Sequence, residues 1–226
     1  MTLRVAITRA APEAEATAAR VRELGAEPVL APLLHIEPRA FDPNLAGVQA
    51  LLFSSSNGVR GFAATSADRA LPILAVGNAT AEAARLAGFL QIHSADGDVG
   101  ALAGLARAVL DPQTGILLHI SGVHAAGDLV GELSRAGFST ARRIAYEARA
   151  ATVLPAAFAA PLDVVLFHSA RAAATFLALS GPNTARLTAA CFSPRVAEVA
   201  ARASWARLIV ATEPREGEFL RAALTM

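Results

Sequence analysis

Two kinds of stretch alternate along this chain: short runs that are almost wholly apolar, and longer segments in which apolar residues return at helical spacing. The apolar runs Leu3 to Thr8, Glu27 to Leu30, Leu51 to Phe53, Ile73 to Val76, Gln91 to His93, Ile116 to Ile120, Arg143 to Arg149, Val164 to Phe167, Thr188 to Phe192 and Leu208 to Ala211 read as strands. Between them, Ala14, Ala18, Val21 and Leu24 mark a helix with Glu13 and Glu15 in its first turn, Arg20 and Arg22 in its last, and Gly25 after it. Leu102, Leu105, Ala106 and Val109 mark another, as do Leu129, Leu133 and Ala136, then Val196, Val199, Ala200 and Ala203, and finally Phe219, Leu220, Ala223 and Leu224. Leu33 to Glu37 reads as an extended connector ending at Pro38, and Gly97 to Gly100 as a loop. Strands apolar on both faces, alternating with helices, predict an α/β chain with parallel sheets.

The pattern repeats. Leu51 to Val59, LLFSSSNGV, is echoed by Val165 to Ala173, VLFHSARAA, with Phe53 matching Phe167, Ser55 matching Ser169 and Phe62 matching Phe176 (167 − 53 = 114). Gly25 matches Gly137 (137 − 25 = 112), each ending a helix, and Glu82 matches Glu198 (198 − 82 = 116). A nearly constant offset over so many positions indicates a duplication, at a period longer than the ~50 residues of solenoid repeats. The expected architecture is therefore two similar lobes, each a parallel sheet flanked by helices.

Composition narrows the function classes. The 226 residues suffice for two lobes with cores of their own, and 54% hydrophobic against 17% charged residues leaves no disordered segment. No apolar run is long enough to span a bilayer, and the opening MTLRVAITR has a strand where a signal peptide would need a long apolar stretch, so a cytoplasmic protein without membrane contact is expected. Cys191 is the only cysteine; its apolar neighbours suggest a buried, inert thiol. All 20 basic residues are arginine, which excludes Schiff-base and Walker-lysine chemistry on this chain and suits a ligand bearing many carboxylates. A net charge of +1 with scattered arginines gives no nucleic-acid footprint.

In open parallel sheets ligands sit beyond the carboxyl ends of the strands. The loops there offer Thr8 and Arg9, Ser54, Ser55, Ser56 and Asn57, Gly77, Asn78 and Thr80, Ser121 and Gly122, His168 and Ser169, and Ser193 and Arg195. Hydroxyls and free amides at helix starts hold carboxylates or phosphates, and each such loop also reads as an ordinary helix cap. His35, His93, His119, His124 and His168 are dispersed, so no metal is expected; no G-x-S-x-G, Walker A or G-x-G-x-x-G string is present, so no cofactor is expected either. A donor-rich cleft between two lobes is the resulting picture. A two-lobe binding or sensor protein for an anionic small molecule, and an interaction domain whose serine loops are only caps, are alternative readings.

In order and spacing these residues resemble the uroporphyrinogen-III synthase family: an opening strand ending in Thr-Arg, F-[ST]-S-x-N-x-V at Phe53 to Val59, A-V-G-x-x-T-A at Ala75 to Ala81, a G-F strand reaching Tyr146, and a second F-x-S at Phe167 to Ser169. There are departures. Ala10 stands where the family usually has Pro; Ser121, Gly122, Val123 and His124 replace an arginine-bearing loop; and Ser193, Pro194, Arg195, Val196 and Ala197 replace a second G-x-x-T-A, so that Arg195 is the candidate stand-in for a threonine. The resemblance implies a discontinuous first lobe, 1–34 plus 150–226, a second lobe 40–143, and connecting strands at 35–39 and 144–149. It implies closure of hydroxymethylbilane, a linear tetrapyrrole with eight carboxylates, to uroporphyrinogen III with inversion of ring D and loss of water, without cofactor or metal. Tyr146 is the implied catalytic residue, assisting the leaving hydroxyl, and the loop residues named above are the implied substrate contacts. A monomer is expected, in transient contact with the upstream enzyme that forms hydroxymethylbilane.

Overall fold

Val164–Phe167 (β9) is buried at every residue because it runs through the middle of a sheet covered on both faces. In the computed structural model, which describes residues 2–125, 127–179, 183–213 and 215–225, it is the centre of a five-stranded sheet ordered β11-β10-β9-β1-β2. The others are β1 (Arg4–Ile7), β2 (Glu27–Leu30), β10 (Thr188–Cys191) and β11 (Arg207–Val210), all paired in parallel. Helices α1 (Glu13–Glu23), α6 (Ala170–Ala178), α7 (Pro194–Ala200) and α8 (Glu216–Leu224) join and cover them. Together these form one compact unit, Met1–His35 with Arg149–Met226.

The second unit, Ile36–Ala148, contains a six-stranded sheet ordered β3-β8-β7-β4-β5-β6. Its strands are β3 (Leu34–Pro38), β4 (Val48–Phe53), β5 (Ile73–Ala75), β6 (Ile92–Ser94), β7 (Ile116–Gly122) and β8 (Thr140–Ala150). Its helices are α2 (Ser56–Thr65), α3 (Asn78–Leu86), α4 (Val99–Val109) and α5 (Leu129–Arg135). The fold class is thus α/β with two parallel-dominated sheets flanked by helices, as the pattern of apolar runs requires.

The duplication explains the topology. At the offsets seen in the sequence, α2 starting at Ser56 corresponds to α6 starting at Ala170, and α3 at Asn78 to α7 at Pro194 (170 − 56 = 114; 194 − 78 = 116). Strand β1 corresponds to β7, β2 to β8, β4 to β9, β5 to β10 and β6 to β11. Substituting these counterparts turns the order β11-β10-β9-β1-β2 into β6-β5-β4-β7-β8, which is the order of the second sheet apart from its edge strand β3. Each sheet therefore combines the early part of one copy with the late part of the other. Equivalent cores survive: Phe53 meets Phe62 edge-on at 6.0 Å in one unit, and Phe167 meets Phe176 edge-on at 5.5 Å in the other. Each ring is fully buried, contributing roughly 1.5–3 kcal/mol by burial and about 1 kcal/mol more from the paired geometry.

Local chemistry sets the element ends. Gly25 and Gly137 hold φ of +80° and +89° after their helices, a region where a side chain is strained. The loop read at Gly97 to Gly100 is shorter than expected: Asp98 accepts from the Ala101 amide at 2.9 Å and starts α4 at Val99. Strand β7 is longer than expected, because Ser121 and Gly122 continue to pair with β8 instead of turning. Residues 144–149 continue β8 without a break. In α2, a methyl at Gly61 would lie 2.8 Å from Ala145 Cβ, so this glycine lets the helix lie directly on β8, one residue from Tyr146.

Candidate functional site

In the second unit, Ser54 just beyond β4, β7 from His119 onward and Arg142 near the start of β8 form a chain of polar contacts. Ser54 Oγ lies 2.9 Å from His119 Nε2, and His119 stands opposite Arg142 in the β7–β8 register. Only 3% of His119 is exposed. Burial, reinforced by the Arg142 charge, lowers its pKa to about 4, so the imidazole is neutral at pH 7. Arg142 donates from Nε to Ser121 Oγ at 2.7 Å, and from Nη2 to Gly122 O at 2.6 Å and Val123 O at 3.1 Å. Ser121 is buried with its hydroxyl engaged in this way, in contrast to the exposed donor expected of a turn.

Tyr146 is placed by a bulge. The register steps from Ser121↔Ile144 to Gly122↔Tyr146, skipping Ala145, so Tyr146 rather than its neighbour faces Gly122. A methyl at Gly122 would lie 2.7 Å from two ring carbons, so the ring occupies the space that glycine leaves. The Val123 amide donates to Tyr146 O at 3.0 Å. The ring is half-buried, and among the described residues its hydroxyl has no hydrogen-bond partner.

Nearby helix starts hold the other expected residues of this unit. Ser55 caps α2, accepting from the Asn57 amide at 3.2 Å, and Asn57 Oδ1 accepts from Arg60 at 2.6 Å. Ser56 Oγ donates to Ala79 O at 3.4 Å, linking the starts of α2 and α3. Gly77 caps α3 with open space where a side chain would be, Asn78 donates to Asp96 at 2.7 Å, and Thr80 is buried.

In the first unit, the carboxyl ends of β1 and β9 meet the start of α8. Thr8 is fully buried and donates to Leu166 O at 2.7 Å, so it holds two strands together and offers no exposed donor. Glu216 is the hub. It accepts from Thr17 Oγ1 at 2.6 Å, from Arg9 at 3.4 Å and faces His168 Nε2 at 3.2 Å from both carboxylate oxygens. Burial works against its charge, but His168, Thr17 and Arg9 outweigh it and hold the carboxyl at about 2. Burial drives His168 toward its neutral form against the pull of Glu216. The part of the Glu216 shift that needs an imidazolium is present only while the ring is charged; Thr17 and Arg9 keep the carboxylate ionised in either case. The His168 ring stacks on Phe192 at 5.4 Å and meets Phe219 edge-on at 5.1 Å, and its buried Nδ1 has no partner among the described residues. Ser169 caps α6, accepting from Ala172 at 3.1 Å. Ser193 stands at the start of α7 with no side-chain cap bond, and Arg195, in the same helix, is exposed.

The expected residues thus fall into two groups, one in each unit: Thr8, Arg9, His168, Ser169, Ser193 and Arg195 in the first, and Ser54 to Asn57, Gly77, Asn78, Thr80, Ser121, Gly122 and Tyr146 in the second. Glu216, Thr17, His119 and Arg142 were not among them. Glu216 looks like any acid in a first helical turn, and Thr17 like a core-facing helix residue. Arg142 and His119 could be flagged only by knowing that β7 and β8 are neighbours in register. Among the described residues no cluster of three or more His, Cys, Asp or Glu side chains could hold a metal ion, and no helix is long and apolar enough to cross a membrane.

This two-unit α/β architecture is shared with solved uroporphyrinogen-III synthases. The enzyme of Helicobacter pylori superposes with a TM-score of 0.70 at 16% identity over 99% of both chains. A variant of the Thermus thermophilus enzyme gives 0.57 at 21% identity over 97% of this chain and 96% of that one. These likenesses establish the fold. No individually curated protein sequence matches the chain at significance. A family model described as uroporphyrinogen-III synthase HemD matches residues 15–221, and the chain belongs to that family. The family is one of enzymes, and the activity is that of a cyclising hydro-lyase of porphyrin biosynthesis: hydroxymethylbilane is closed to uroporphyrinogen III with ring D inverted and water lost.

Proposed function

We propose that Tyr146 assists departure of the terminal hydroxyl of hydroxymethylbilane, and that hydroxyls, amides and guanidinium groups at the two sheet ends hold its carboxylates. The observation that carries this reading is the Tyr146 hydroxyl itself, without a hydrogen-bond partner among the described residues on a ring fixed against Gly122. A phenol hydroxyl is a hydrogen-bond donor, so it assists the leaving of hydroxide without full proton transfer. Departure leaves an electrophilic azafulvene. Ring D then attacks through its substituted carbon to give a spiro intermediate, which fragments and recloses with the ring inverted.

Spontaneous closure gives the uninverted isomer, so the protein's main contribution is to hold one folded geometry of the substrate. Ser54, Ser55, Ser56, Asn57, Gly77, Asn78 and Thr80 in the second unit, and Arg9, His168, Ser169, Ser193 and Arg195 in the first, are the groups assigned to that task. Of these, Ser193 and Arg195 are the most available, since no hydrogen bond or ion pair occupies either side chain among the described residues. Thr8 and Ser121 support the strand ends from within. The enzyme is read as a cytoplasmic monomer that takes hydroxymethylbilane as the upstream enzyme releases it.

The test is to generate hydroxymethylbilane in situ, add the purified protein, oxidise the products and separate uroporphyrin isomers I and III. Isomer III in excess over a protein-free control is expected. Isomer I alone would overturn the reading.

A further inference from the structure

We infer that Arg142 is a positioning residue that sets the orientation of Tyr146 by clamping the Ser121–Val123 segment beneath it. The inference rests on the catalytic role proposed for Tyr146.

A parallel ladder normally fixes one strand on the next through evenly spaced bonds. At the step between Ser121 and Gly122 this ladder is interrupted, and a bulge both re-aims a side chain and weakens the local pairing. Without another restraint, the backbone at Gly122 could slide relative to β8. The Arg142 guanidinium supplies that restraint, reaching Ser121 Oγ, Gly122 O and Val123 O, acceptors on three successive residues spanning the irregularity. On the other side the Val123 amide is tied to Tyr146 O. Gly122 is therefore held between the side chain of one β8 residue and the backbone of another. Its Cα face is the surface against which the Tyr146 ring lies, and a movement of Gly122 is a movement of the ring's seat.

The chemistry selects arginine. A planar guanidinium directs several N–H groups in fixed directions and can bridge acceptors on consecutive residues; an ammonium on a flexible stem keeps the charge without the fork. Arg142 is exposed, yet its bonds all point back to the chain, so it acts as a brace on the strand end.

Tyr146 is the only tyrosine, so its ring can be observed alone. The experiment compares the full chain with Arg142→Ala, Arg142→Lys, Tyr146→Phe and the Arg142→Ala/Tyr146→Phe double variant. It measures kcat and KM for uroporphyrinogen III formation, the thermal midpoint, and the ring signal of 13C-labelled tyrosine. Arg142→Ala is expected to lower kcat by at least about 10-fold, with KM within about 2-fold, because misplacing a reacting group falls on the chemical step. Its tyrosine signal shifts. Arg142→Lys, which keeps the charge and serves as the test should the alanine variant fail to fold, does not restore kcat. In the Tyr146→Phe background, removing Arg142 costs less than about 2-fold more, since two residues acting through one group are not additive.

A full additive loss in the double variant, a rise in KM at unchanged kcat, rescue by lysine, or an unshifted tyrosine signal would each overturn the role of Arg142 while leaving that of Tyr146 standing. An unchanged rate for Tyr146→Phe would overturn the catalytic reading, and this inference with it.

Discussion

Ser54 Oγ and His119 Nε2 are 2.9 Å apart, joining the first serine of the loop after β4 to an imidazole that is almost wholly buried in β7. The folded protein takes up the His119 proton only near pH 4, because burial and then the Arg142 charge oppose it, whereas an unfolded chain binds it below about 6.5. Between these values the unfolded state holds more protons, so stability is complete above about pH 6.5 and falls as pH drops toward 4. A gap of this size corresponds to roughly 3 kcal/mol at the acid end. Glu216, held at about 2 from 4.5, adds a further loss of the same sign below pH 4.5. Denaturant unfolding at pH 7 and pH 5 should show the lower midpoint at pH 5, and His119→Gln should reduce the difference. Equal midpoints for the unmodified chain would contradict a buried neutral imidazole.

Gly122→Ala tests the seat of the tyrosine. A methyl 2.7 Å from two ring carbons is far inside the ~3.5–4.0 Å of a normal carbon contact, so ring or strand must move by about 1 Å. Turnover should fall on the order of 10- to 100-fold, as displacements of that size do when geometry carries the rate. Isomer III formation within twofold of the unmodified enzyme would show that the ring has no fixed catalytic position.

Ser169 and Ser193 each stand at the N-cap of a helix in the first unit but do different work. Ser169 accepts from the Ala172 amide, while Ser193 makes no cap bond. Ser169→Ala should cost about 1 kcal/mol of stability, and Ser193→Ala less than about 0.5 kcal/mol. If the Ser193 hydroxyl meets substrate, its loss raises KM at constant thermal midpoint. A thermal scan beside a KM measurement separates the two, and equal stability losses would contradict the difference in capping.

Much of this was legible in the chain. Phe53 passing into Ser55, and Phe167 into Ser169, announced both strand-to-helix handovers, because a buried strand must be apolar and a helix start needs a cap. The parallel α/β class and the family followed from such local rules and from motif order. What escaped was set by partners distant in sequence. Ser121 and Gly122 look like a turn, and only pairing with β8 makes them strand. Thr8 looks like a rim donor until Leu166 O is found to accept its hydrogen bond. Glu216 obeys the rule for acids at helix starts, and nothing local shows that Arg9, Thr17 and His168 converge on it.

Cys191 is fully buried, and burial raises its pKa to about 12. An aromatic disulfide reagent at neutral pH should modify it only as fast as the protein unfolds, with a rate that climbs with denaturant. Rapid labelling of the native enzyme would contradict the placement of β10 in the centre of its core.

The exchange of parts between the duplicated copies also fixes an order in time. During synthesis, everything that the second sheet requires has been made once β8 is complete at Ala150. Strands β1 and β2, made earlier, have no such closure: β1 needs β9 beside it, and β10 and β11 come later still. Strand β1, made before the second sheet, is therefore paired on both sides only after it. Until residues beyond Val164 appear, an apolar strand and the inner face of α1 lack the sheet that buries them, and apolar surface exposed in this way is prone to aggregation.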